Sequence, residues 1–262
     1  MSPEPASARR VPIRTLDQLF LWSSLTIVVA LSWWYLFLLA EDMAGMSGMS
    51  MEQMAGMHPW TPVDFLLMFV MWAVMMVGMM VPTALRAILI YARVARQADS
   101  RGGPIAPTGW FVLGYVLVWG GFSVLATALQ SGLHELGLLT PMMASASPLF
   151  GAGLLLVAGL YQLTPWKSAC LRHCQSPALY LAGKFTPGAA GAVKVGVGHG
   201  GYCLGCCWVL MGLLFLGGVM NLVWIAAITA FVLLEKLLPV RFRTANATGW
   251  MMIGTGVFFA VA

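Results

Sequence analysis

The 262 residues are 60% hydrophobic and 9% charged, with a mean hydropathy of +0.85, whereas soluble domains carry about 25% charged residues. So few charges cannot clothe a water-exposed surface, which excludes a soluble globular protein. The formal charge of +5 comes from basic clusters between apolar blocks, a membrane-orientation pattern that gives no reason to invoke nucleic acid.

The start, MSPEPASARRVPIR, is polar and Pro-rich and reads as a flexible cytoplasmic tail over 1–18. The apolar segment that follows, Leu19 to Ala40, is longer than a signal-peptide h-region, so it reads as an uncleaved first helix. Further apolar blocks near 62–82, 109–130, 148–165, 200–220 and 222–239 approach the roughly 20 helical residues that cross a bilayer. A last block starts near Thr248, with only about thirteen apolar residues before the end of the chain. The expected fold is an all-α polytopic transmembrane helical bundle of six to seven spans, forming one domain over 19–262.

Basic residues set the expected orientation. Arg9, Arg10 and Arg14 precede the first span; Arg86, Arg93, Arg96 and Arg101 follow the second; Lys167, Arg172, Lys184 and Lys194 lie between spans four and five; Lys236, Arg241 and Arg243 close span six. All 14 fall on one side, which the positive-inside rule makes cytoplasmic, together with the N-terminus. The opposite face carries Glu41, Asp42, Glu52, Asp64 and Glu135 and attracts cations weakly.

On that acidic face the loop 41–61 contains Met43, Met46, Met49, Met51, Met54 and Met57 beside His58. Thioethers are soft, uncharged ligands that favour Cu(I) and keep their ligand capacity where thiols oxidise. The Gly, Ser and Glu residues between them make a poor packing surface, so soft-metal capture is the expectation. Inside span two, Met68, Met71, Met75 and Met79 share one helical face through i+3 and i+4 steps, and Met75 with Met79 forms an M-x-x-x-M pair. Pro82 is expected to end or kink this helix.

All five cysteines are expected near the cytoplasmic side, where thiols stay reduced: Cys170 and Cys174 after span four, and Cys203, Cys206 and Cys207 in the inner half of span five. His199, Cys203 and Cys207 follow at i, i+4, i+8 with Cys206 beside them, and His173 lies between the other two thiols. Thiolate with imidazole suits Cu(I), with zinc possible, and Lys167, Arg172 and Lys194 are candidates to hold the thiolates deprotonated. Glu235, beside Lys236, reads either as a supporting partner of this cluster or as an interfacial ion pair. Tyr161, Gln162 and Asn221 are further intramembrane polar groups with a functional expectation.

The segments MMVGMMVPT, GLYQLTPWKSACLRHCQSP, HGGYCLGCCWVLM and VLLEKLLP resemble a bacterial family of predicted metal-binding integral membrane proteins, formerly a domain of unknown function. The resemblance runs from Met71 to Pro239. It implies copper delivery to tyrosinase- or laccase-type copper oxidases from the bacterial inner (cytoplasmic) membrane. No acid–base pair, nucleotide loop or nucleophile constellation stands out, so no enzyme is expected. The leading expectation is a Cu(I) metallochaperone serving a periplasmic or membrane-bound oxidase. Its rivals are an accessory subunit of a membrane oxidase, a Cu(I) transporter, and a thiol or copper oxidoreductase.

Overall fold

Without water in the hydrocarbon to bond exposed backbone, apolar blocks close their hydrogen bonds as helices. A computed structural model describes residues 15–46, 61–99, 107–140, 143–184, 186–238 and 244–261. Within them α1 spans Thr15–Met46, α2 Pro62–Asp99, α3 Thr108–Glu135, α4 Pro148–Gln162 and α5 Pro165–Gln175. The chain continues with α6 at Pro177–Lys184, α7 at Gly188–Gly212, α8 at Leu214–Gly217, α9 at Leu222–Leu237 and α10 at Thr244–Val261. An isolated β-bridge between Leu139 and Ser145 pins the turn between α3 and α4.

The protein is an all-α membrane bundle. Four stretches are long and apolar enough to cross: Gln18–Asp42, Pro62–Asp99, Thr108–Glu135 and Gly188–Gly217. A fifth crossing exists if α4 and α5, bent by 67° to one another, count as one. The blocks expected as spans six and seven form α9 and α10, which do not meet the same length-and-hydropathy criterion. With 16 residues, α9 is about 24 Å long, short of a hydrocarbon core about 30 Å thick.

Pro82 does not end its helix, because α2 runs through it to Asp99. A proline leaves the carbonyl four residues earlier without its helical donor, here Gly78 on the face toward α1. Trp33 of α1 supplies the missing bond, its indole Nε1 donating to Gly78 O at 3.3 Å. Neighbouring helices make intramembrane prolines tolerable in this way.

The region between the expected spans four and five is also helical. It holds α5, α6 and the first turns of α7, which begins at Gly188, twelve residues before the anticipated start. The early turns are glycine-rich and carry Lys194, so their hydropathy is low, yet they pack tightly on α3. A Cβ on Gly196 would lie 2.1 Å from Phe111 O, and one on Gly114 of α3 would lie 2.3 Å from Val193 O. Small residues at these positions let two membrane helices approach backbone to backbone. The consequence is that Cys203, Cys206 and Cys207 fall in the second half of α7, well past its first turns and not near the start of the span as anticipated.

Two basic residues assigned to the cytoplasmic loops are instead interior: Lys167 is fully buried and Lys236 is 4% exposed. The methionines of α2 point into the protein, with Met71, Met75, Met76, Met79 and Met80 all buried in the core. Met43 and Met46 fall on the last turn of α1, while Met49, Met51, Met54, Met57 and His58 lie outside the described residues.

Candidate metal centre

The sequence CLGCC on α7 places its three sulfurs at i, i+3 and i+4, hence on one side of the helix. Cys206 and Cys207 both donate S–H to Cys203 O, each at 3.0 Å, so all three thiols gather around one turn. From α5, whose first turn is capped by the Thr164 side chain accepting from Lys167 N, Cys174 reaches across to bring its Sγ within 3.8 Å of Cys206 Sγ. These four thiols are buried, Cys170 is half-buried, and none is in a disulfide. Cys170 packs against Gly205, its Sγ 2.8 Å from where a Cβ on that residue would be, so a larger residue there would displace it.

Cys203 has two further partners. Lys236 Nζ of α9 donates to its Sγ at 3.0 Å and to Thr83 Oγ1 of α2 at 2.8 Å. Tyr115 Oη of α3 lies 3.0 Å from the same sulfur and donates to Met80 O at 3.0 Å. Side chains of α3 and α9 therefore meet at one thiol of α7, with an ammonium in hydrogen-bond contact with its sulfur.

The lysine doing this is not one of those anticipated. Lys167 Nζ pairs with Glu235 Oε2 at 2.7 Å inside the bundle, and Arg172 and Lys194 are exposed. Nor do Glu235 and Lys236 form a pair with each other. Adjacent residues leave a helix in different directions, so Glu235 turns to Lys167 and Gln162 (Nε2 to Oε1, 3.0 Å) while Lys236 turns to the thiols. That geometric rule, applied to EK inside an apolar run, was the signal available for Lys236. Tyr115 and Thr83 carried no local signal, because their roles depend on which helices meet.

The imidazoles pack among aromatic rings. His173 stacks flat on Tyr202, ring centroids 4.1 Å apart, with Nδ1 2.9 Å from Ala169 O. His199, one turn before Cys203 on α7, is buried among Phe111, Tyr115 and Tyr180. Its Nδ1 has no hydrogen-bond partner among the described residues, an orphaned donor or acceptor of the kind a ligand satisfies. Of the other polar groups singled out, Tyr161 donates to Gly205 O, Gln162 joins the Glu235 network, and Asn221 caps α9 by accepting from Trp224 N.

Among the described residues no three His, Cys, Asp or Glu side chains are arranged to hold a metal ion. The expected zinc site needs a tetrahedral set of three or four such donors, so its geometry is not met. What is assembled is a pair of sulfurs, Cys174 and Cys206, with two more thiols beside it. Cu(I) differs from zinc in accepting two soft donors in a line, and thiolates select it. An apolar cavity of about 600 Å³ is lined by Trp72, Phe122, Leu154, Gly205 and Trp208 among others, with no cysteine in its lining.

No curated protein and no solved structure matches the chain. A family model does: PpoB2, described as a copper chaperone, matches residues 69–259.

Proposed function

Since the chain belongs to the PpoB2 copper chaperone family and handles copper rather than catalysing a reaction, we propose that it holds Cu(I) at the buried thiols and delivers it to a periplasmic or membrane-bound copper oxidase. It sits in a bacterial inner membrane with its N-terminus in the cytoplasm and exchanges the ion through the methionine-rich segment 41–61, where Met43, Met46, Met49, Met51, Met54, Met57 and His58 are the capturing ligands. Cys174 and Cys206 are the primary holding pair. Cys203, Cys207 and His199 are the exchange ligands, and Cys170 and His173 flank them on α5.

The observation that supports this reading best is the 3.8 Å approach of two buried sulfurs from different helices, beside a third sulfur held by Lys236. Cu(I) transfer is ligand exchange, in which an incoming sulfur bonds before an outgoing one leaves, so spare thiols within one helical turn lower its barrier. Burial of the cargo excludes water and oxidants.

Metal analysis of purified wild type, a Cys203→Ser/Cys206→Ser/Cys207→Ser variant and a chain lacking Met43 to Met57 tests it. Copper is expected to be lost from the first variant and acquired more slowly by the second. Equal copper in all three overturns the proposal. A transporter is the second reading, favoured by the buried methionines that run along α2 from Met71 to Met80.

A further inference from the structure

At the end of the bundle where α1 ends and α2 begins, a buried amide does something unusual. Gln130 of α3 is fully buried, and its Oε1 accepts from Trp72 Nε1. Among the described residues its Nε2 is directed only at sulfur, against Met143 Sδ and 3.7 Å from Met68 Sδ. Thioethers are weak acceptors, and a buried amide without a strong acceptor is costly. An apolar side chain would fill this space at lower cost, and a polar residue kept inside a membrane bundle points to function.

Met143 is also held there against its own backbone preference. It lies in the turn between α3 and α4 with φ 56°, the protein's positive-φ non-glycine residue among those described, in a region L side chains rarely occupy. On either side of it, Thr140 N bonds Ala144 O at 2.8 Å and Ala146 N bonds Leu138 O at 2.9 Å, and its sulfur lies against Gln130 of α3. Strained backbone persists where the surroundings impose it, and such positions cluster at ligand sites.

We infer that Met68 and Met143 form a second, two-thioether site for a soft monovalent cation, Cu(I) or Ag(I), with Gln130 as the positioning residue that keeps the two sulfurs together when no ion joins them. Both sulfur-bearing side chains are only partly buried, so an ion reaches them from the bundle end. Asp64, exposed one turn before Met68 and hydrogen-bonded to Thr61, places negative charge at the approach. Two neutral thioethers leave the cation's charge uncompensated, which makes the site weak and fast-exchanging. It suits transit rather than storage. From it, α2 leads through Met75, Met76, Met79 and Met80, all fully buried, to Thr83 beside Lys236 and Cys203. The distance along the helix from Met68 to Thr83 is about 22 Å. This inference rests on the copper-handling reading and adds the ion's point of entry to, or departure from, the buried path.

The test uses the full chain in lipid nanodiscs, labelled with 13C at the methionine methyl groups and 15N at glutamine amides, titrated with Ag(I) as a diamagnetic soft monovalent ion. The variants Met68→Leu and Met143→Leu assign the signals. In the wild type the Met68 and Met143 methyl resonances are expected to move together, at one silver ratio, with the Gln130 amide moving in step as its bonds to sulfur are displaced. In Met68→Leu the midpoint at Met143 is expected to rise by more than about tenfold. Static methyl signals, shifts at different silver ratios, or an unmoved Gln130 amide overturn the inference. If Met68→Leu does not fold, the wild-type coincidence decides alone. Thiol uptake is followed separately by silver–thiolate absorption. Its absence sinks the copper-handling reading, whereas thiol uptake with unmoved methyl groups sinks only the thioether site.

Discussion

Two buried lysines, one on α5 and one on α9, are used in opposite ways. Lys167 of α5 faces Glu235, whose other oxygen is taken by Gln162 and whose backbone carbonyl accepts from Gln175 Nε2 at 2.8 Å. That pair is charge-balanced by a group that does nothing but carry charge, and it ties α4, α5 and α9 together. Lys236, the next residue along α9, faces a sulfur. That sulfur can carry a proton or a soft metal, so the interaction is conditional. A fixed carboxylate makes a joint, whereas a thiol in the same role makes a site.

Removing each lysine separates the two roles. Lys167→Met leaves the Glu235 carboxylate buried and unpaired, and is expected to lower unfolding free energy by about 3–5 kcal/mol in detergent denaturation. The double variant Lys167→Met/Glu235→Met is expected to recover most of that loss, since apolar groups replace such pairs at little cost. A double variant as unstable as the single one breaks the comparison, because the pair would then matter for more than its charges. Lys236→Met leaves behind a thiol that can stay neutral, so the unfolding midpoint should remain near wild type while Cu(I) affinity, read by competition with a chromogenic chelator, falls by about 10- to 100-fold. A stability loss matching that of Lys167→Met would show that Lys236 is a second joint. The smallest effect is expected for Tyr115→Phe, which removes one hydroxyl from Cys203 and Met80 O at a cost of about 1 kcal/mol, measurable by the same denaturation and with only a several-fold change in copper affinity.

The helical membrane architecture was legible because the hydrocarbon leaves so few options, and the gathering of Cys203, Cys206 and Cys207 followed from their spacing alone. Lys236 was obscured by a rule that usually helps. Basic residues between apolar blocks mark the cytoplasmic face, and a lysine next to a glutamate reads as an interfacial pair, so tertiary contacts were needed to show it turned inward. Gly188 to Gly198 was hidden for a different reason. Its helix is held by the close approach of Gly196 and Gly114 to facing carbonyls, an effect hydropathy does not register. Met143 and Gln130 offered no pattern at all, since a turn residue and a lone glutamine acquire meaning only when the turn folds back on α3.

Pro82, too, has a role beyond its own helix. The carbonyl it strands on Gly78 is bonded by an indole from α1, a helix that is mostly exposed outside this contact and lies ahead of the matched residues 69–259. In biosynthetic terms, α2 becomes a fully satisfied span only when α1 is already beside it. The order in which the chain enters the bilayer is thus also the order in which its backbone requirements are met, and a chain begun at α2 would carry a bare carbonyl into lipid.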